Sequence, residues 1–159
     1  MPFQVAVCGP RDCTAQDRTH AHRVGQLLAD AGAVLLCGGG PGVMAAAAAG
    51  ARSRGGLVVG ILPTGDRAGA APDLSAAVVT NMGEARNALL VWSADAVIAV
   101  GGSWGTLSEV ALAKRRGGVP VVVLDGWRVQ DRDGRPVPGL AHVRTPDAAV
   151  AAAMRGTGS

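Results

Sequence analysis

Short apolar runs that glycine cuts off, each leading into a helical pattern, constrain this chain more than any other feature. Residues 4–8 end on Gly9-Pro10, residues 33–37 on Gly38-Gly39-Gly40-Pro41-Gly42, and residues 94–100 on Gly101-Gly102-Ser103-Trp104-Gly105. The runs are apolar throughout rather than alternating, the signature of strands covered on both faces. Between them apolar residues recur at helical spacing, as in Val24, Leu27, Leu28 and Ala31.

These features predict an α/β fold, a single doubly wound Rossmann-like domain with a parallel sheet of about six to seven strands and helices on both faces. Thr14 and Asp17 have the spacing of a capping box, which opens a helix that stops at Gly32. Further strands are expected at 57–61, 77–80 and 120–124, with 142–143 as a last edge strand. Helices are expected over 43–54, from the capping-box spacing of Asn81 and Glu84 to about Trp92, from Thr106 to near Gly117-Gly118, and from Thr145-Pro146 onward. Segments 63–73 and 125–139 read as loops. A length of 159 residues fits one domain, here 1–155, with 156–159 as a disordered tail.

The balance of charge narrows the partners. The net charge is +3, and Lys114 is the only lysine. The arginines are scattered, and Lys114-Arg115-Arg116 sits at an expected helix end, where cations suit the dipole. Aromatics make up 3% of the chain, too few to stack a single strand, so no nucleic-acid partner is expected. Cys8, Cys13 and Cys37 fit no zinc spacing, and no metal is expected. Free thiols point to a reducing, cytoplasmic setting. No secretory leader is expected, because the N-terminus has no cationic segment followed by an apolar stretch, and no membrane segment, because no apolar run reaches about 18 residues.

In such sheets ligands bind beyond the carboxyl ends of the strands. A helix start that follows a glycine turn offers free amides and a partial positive charge to an anion. The expected phosphate-binding positions are therefore Gly9, Gly38, Gly39, Gly40 and Gly42 and then Gly101, Gly102, Ser103, Gly105 and Thr106. A tight strand-to-helix turn is the plain alternative for any one of these loops. No Gly-Lys-Ser/Thr follows either loop, so neither is a Walker A loop. Arg11 lies over the ligand or is a solvated loop residue. Arg86 clamps a phosphate or sits on the surface. Trp104 stacks on a flat ring, covers the site, or simply packs. Glu109 completes a capping box with Thr106 or places a carboxylate at the ligand's reacting centre.

Three segments resemble the Lonely Guy (LOG) family. They are Cys37-Gly38-Gly39-Gly40-Pro41-Gly42-Val43-Met44, Met82-Gly83-Glu84-Ala85-Arg86-Asn87 and Val100-Gly101-Gly102-Ser103-Trp104-Gly105-Thr106-Leu107-Ser108-Glu109. That family, formerly labelled lysine decarboxylases, comprises nucleoside 5′-monophosphate phosphoribohydrolases of the cytokinin-activating type. The resemblance implies a 5′-phosphate held by the second motif, with Arg86 and Glu109 serving cleavage of the N-glycosidic bond. It also adds Val43, Met44 and Asn87 to the ligand-binding positions. The enzymes usually carry Pro-Gly-Gly and Arg-Lys where this chain has Val100-Gly101-Gly102 and Arg86-Asn87. Those departures and the short length are more similar to a sister branch that includes molybdenum-cofactor carrier proteins. The same branch is resembled at Val7-Cys8-Gly9-Pro10, Gly60-Ile61-Leu62-Pro63 and Ser108-Glu109-Val110-Ala111-Leu112.

Two functions are therefore expected. One is a binding and carrier protein for a phosphorylated pterin (the molybdenum cofactor) or a nucleotide-like ligand. The other is the phosphoribohydrolase, which releases free base and ribose 5-phosphate. A regulatory nucleotide sensor is a third reading. No cofactor is required for catalysis; molybdenum cofactor or a nucleoside monophosphate is the expected ligand. Pyridoxal-phosphate decarboxylation needs a lysine in the site, and Lys114 lies beyond the first turn of its helix. The resemblance implies a homo-oligomer, a dimer or tetramer. The alanine run 45–49 is a candidate subunit contact, with packing on its own sheet as the default.

Overall fold

The computed structural model describes residues 1–155, so the expected disordered tail at 156–159 lies outside the described residues. The elements run β1 (Gln4–Cys8), α1 (Ala15–Asp30), β2 (Val34–Cys37), α2 (Val43–Ser53), β3 (Val58–Leu62) and β4 (Ala76–Val79). They continue with a 3-10 turn (Gly83–Ala85), α3 (Arg86–Trp92), β5 (Ala96–Val100), α4 (Trp104–Arg116), β6 (Val121–Leu124), β7 (Ala141–Val143) and α5 (Pro146–Met154). Among the described residues the strands form one seven-stranded sheet in the order β4-β3-β2-β1-β5-β6-β7. Every pair is parallel. The order reverses between β1 and β5, which makes that junction the topological switch point.

Alternate strand residues feed two cores. Val5, Val7, Leu35, Ile98 and Leu124 pack under α1, α2 and α5. Ala6, Leu36, Val97, Ala99 and Val121 pack under α3 and α4 through Leu90, Val91, Val110 and Ala113. The central strands are thus covered on both faces, as their unbroken apolar sequences imply. At one edge β4 departs from that expectation: Val78 and Val79 are exposed, because the short α3 does not reach over the outermost strand.

Local signals set most helix ends. Thr14 Oγ1 accepts from the Asp17 amide at 3.0 Å, and the Asp17 carboxylate accepts from the Thr14 amide at 3.1 Å, so the capping box is complete. Thr145 caps α5, with Pro146 in its first turn. Two expected caps are corrected. Asn81 adopts a positive φ of 51° and caps nothing; a 3-10 turn follows before α3 begins at Arg86. α4 begins at Trp104 with Ser103 as its N-cap, two residues earlier than expected, so Thr106 and Glu109 do not form a capping box. At the far end of α4 Arg116 Nη1 donates to the carbonyls of Val91 and Ala94, each at 2.6 Å, and Lys114 Nζ to that of Gly139 at 2.9 Å.

The alanine-rich α2 packs backbone to backbone on α1. A Cβ at Gly25 would run into the Ala47 carbonyl, and one at Gly50 into the His22 carbonyl. The small side chains of α2 therefore serve a contact inside the domain. Gly50→Ala should gain helix propensity yet lose more to overpacking, with a net cost of about 1–2 kcal/mol and a Tm lower by about 3–6 °C. Thermal and urea unfolding measure this; an unchanged or raised Tm would mean that the helices are free to separate.

Candidate functional site

The continuations of β1 and β5 leave the sheet in opposite directions, β1 toward α1 on one face and β5 toward α4 on the other. The crevice that opens between them is a cleft of about 480 Å³. Gly9, Pro10, Arg11 and Asp12 line one side, and Ser103, Gly105, Thr106 and Glu109 the other; Met44, Pro63, Gly83, Glu84, Arg86 and Asn87 complete it.

The start of α4 is open to this cleft. Ser103 Oγ accepts from the Thr106 amide at 3.2 Å and lies 2.9 Å from Thr106 Oγ1. The amides of Trp104 and Gly105 belong to the first turn, where no helical acceptor exists. They sit at the positive end of a 13-residue helix. Among the described residues, and apart from its chain neighbours and the helix's own backbone, a Cβ on Gly105 would meet within 4 Å only Ser103 Oγ, at 3.8 Å, and the Gly105 φ is not positive. The fold does not require glycine here, and glycine costs a helix about 0.5–1 kcal/mol relative to alanine. What the missing side chain keeps free is access to the helix amides.

The start of α2 is different. Gly42, at φ 73°, is its N-cap, and a Cβ there would strike the carbonyls of Pro10 and Arg11. The Val43 amide donates to the Pro10 carbonyl at 3.2 Å, so the β1–α1 turn seals this helix end. Gly38, Gly39 and Gly40 line an adjoining compartment of about 130 Å³. It shares Arg11, Met44, Pro63 and Arg86 with the main cleft, and Thr64, Ala68, Gly69 and Ala70 of the 63–73 segment wall it. The two glycine turns are thus neighbours across Arg86 and Met44, and the second carries the open helix end.

The remaining candidate residues fall into four groups. Arg11 is exposed at the border of both compartments. Val43 is fully buried, beside Gly9. Gly101 and Gly102 turn away from the cleft: a Cβ would meet the Asp17 carboxylate at the first and the Trp127 ring at the second. The 125–139 segment accordingly packs behind the start of α4, with Trp127 and Val129 near Leu107 and Val110. Trp104 is 78% exposed and meets Trp127 edge to face, with ring centroids 5.1 Å apart.

Arg86 and Asn87 act as one unit. Arg86 Nη1 donates to the carbonyls of Gly38 and Ile61, each at 2.6 Å, and Nε to Asn87 Oδ1 at 2.7 Å. Glu109 is 8% exposed, in the second turn of α4. Burial raises its pKa above the usual carboxylate value, against the opposing pull of a hydrogen bond from the Cys8 thiol and the charge of Arg86. Burial, and then Glu109 itself, push the Cys8 thiol well above its ordinary range. Burial takes Cys37 to about 11. Both thiols stay protonated at neutral pH, so neither is a nucleophile. Sequence reasoning used the Cys8 thiol only to exclude a zinc site and to infer a reducing setting, and missed its partnership with Glu109; its place as the last residue of β1, at the switch point, was the available signal. It also did not single out Pro63, Gly83 and Glu84 as site residues, although each lies in a segment that carries the family resemblance.

The SLOG cluster4 family model matches residues 2–150. An uncharacterized protein of Archaeoglobus fulgidus is 46% identical over 133 residues, 80% of this chain and 87% of that protein. The solved molybdenum cofactor binding protein from Rippkaea orientalis is 35% identical with a TM-score of 0.85, covering 95% of this chain and 94% of that one. The molybdenum cofactor carrier protein from Chlamydomonas reinhardtii is 29% identical with a TM-score of 0.79, covering 96% of both chains.

The environment of Glu109 makes a testable demand. Its folded pKa exceeds its unfolded one, so the folded chain holds the proton more tightly. That contribution to stability is complete below the unfolded pKa and is lost as pH rises through the folded one. Glu109→Gln has no proton to release. Its urea midpoint, relative to the parent chain, should therefore climb as pH is raised from the usual carboxylate range, about 4, upward. An offset that stays constant across that range would show that burial does not govern this carboxyl.

Proposed function

The chain belongs to the SLOG cluster4 family, and on that premise we propose that it is a binding and carrier protein for the molybdenum cofactor, whose phosphate sits at the start of α4. The observation that carries this reading is the uncovered amide pair over Gly105, at a position where the fold has no need of glycine. A phosphate there meets free N–H donors and the positive end of the helix. Ser103 and Thr106 supply hydroxyls beside it, and Arg11 a cation at the rim. The cleft volume of about 480 Å³ suits a pterin-sized ligand. The likeness to the cofactor-binding proteins of Rippkaea orientalis and Chlamydomonas reinhardtii supports the same assignment.

The residues that would perform glycoside cleavage are otherwise engaged. An oxocarbenium-like transition state calls for an ionised carboxylate, and burial works against ionisation of Glu109. Arg86 spends Nε and Nη1 on Asn87 and on two strand-end carbonyls. The site is equipped to hold a phosphorylated ligand and leave it intact.

Two measurements test this. Purified protein incubated with AMP should release no ribose 5-phosphate; turnover that Glu109→Ala abolishes would establish the hydrolase instead. Gly105→Ala should raise Tm, because alanine is the better helix former, and weaken anaerobic binding of molybdenum cofactor by about tenfold or more, equivalent to about 1.4 kcal/mol. Unchanged affinity in that variant would remove the α4 amides from the site.

A further inference from the structure

A second cleft lies at the carboxyl ends of β6 and β7, away from the switch point. It measures about 490 Å³ and is lined by Gln16 of α1, by Val123, Asp125, Gly126 and Arg128 at and beyond the end of β6, and by His142, Val143 and Arg144 of β7 and its continuation. It shares no lining residue with the β1–β5 cleft. Carboxyl ends of parallel strands are where α/β sheets place ligands.

Charge gives this cleft its character. Arg128 and Arg144 both face it, and among the described residues neither has an ion-pair or hydrogen-bond partner. The one carboxylate present, that of Asp125, is directed to α1: Gln16 Nε2 donates to it at 3.4 Å, and His20 Nδ1 lies 3.9 Å away. Asp125 is held there with a left-handed φ of 48°, its amide donating to the Val143 carbonyl at 3.0 Å. Two guanidinium groups without carboxylate partners present a surface that an oxyanion satisfies through paired N–H donors. The volume exceeds that of a bare anion and falls in the range of small organic ligands, about 300–1,000 Å³.

We propose that this cleft is a second ligand site, for a small organic molecule bearing a phosphate or carboxylate group that Arg128 and Arg144 hold from two sides. Val123 and Val143 offer apolar contact to its carbon frame, and Gln16 and His142 offer hydrogen bonds. The site stands independently of the β1–β5 cleft.

The test is an amide-resolved NMR titration of the intact ¹⁵N-labelled chain with glycerol phosphate and, separately, with succinate, at ionic strength fixed with sodium chloride. Saturable shifts at Gly126, Val143 and Arg144 are expected with one or both probes, and the probe that saturates assigns the anion class. Combining Arg128→Gln with Arg144→Gln should weaken that response at least about tenfold, equivalent to about 1.4 kcal/mol. Both side chains sit on exposed residues, so the variant should keep its Tm and its response at Gly105. Shifts that never saturate, that chloride reproduces, or that survive the double substitution would overturn the proposal. A response at Gly105 without one at Gly126 and Val143 would overturn it while leaving the first cleft's assignment intact.

Discussion

Two carbonyl oxygens at the ends of adjacent strands, those of Gly38 and Ile61, point at the same nitrogen of Arg86. Hydrogen bonds from a charged donor contribute about 1.5–3 kcal/mol each, more than neutral ones. The strand ends of β2 and β3 are thereby fixed against each other, and with them the first glycine turn and the border of the cleft. Gly38 has no side chain because the guanidinium and Met44 occupy the space a Cβ would need. Asn87 holds the same guanidinium through Nε. A lysine in place of Arg86 would be a point charge without that fork and could not reproduce the arrangement. The fixed charge also moderates Glu109, Cys8 and Cys37, opposing the effect of burial on each.

Much of this was legible in the residues, for identifiable reasons. Thr14 with Asp17 and Thr145 with Pro146 are local devices whose geometry depends on a few neighbours, and both form as their spacing implies. Apolar runs ended by glycine specify buried parallel strands, and the sheet follows. Local spacing failed where a competitor stood nearby. Ser103 is a better-placed cap than Thr106, and its extended backbone lets α4 start three residues earlier than a Thr106 cap would. Glu109 then moves from the first turn to the second and from the surface to the interior. Asn81 lost its expected role to a left-handed turn. The glycines of one motif look alike in sequence, yet Gly101 and Gly102 make room for Asp17 and Trp127 while Gly105 leaves space empty. Only tertiary contacts separate those cases. The partnership of Cys8 with Glu109 joins residues 101 positions apart and has no local signal.

The two faces of the sheet are not insulated alike. On one face α1 and α2 touch through their backbones and α5 closes the layer, so water is shut out over most of its length. On the other, α3 has seven residues, too few to persist as a helix by itself. It persists because Leu90 and Val91 are buried against the sheet, Arg86 ties its first turn to the strand ends, and Arg116 of α4 holds the Val91 carbonyl in its last turn. The wall of the β1–β5 cleft therefore draws on a small reserve of stability, while the opposite layer holds the global one. Amide protons of α3 should exchange through brief local excursions that leave the sheet intact, so this side of the cleft can open without putting the whole domain at risk.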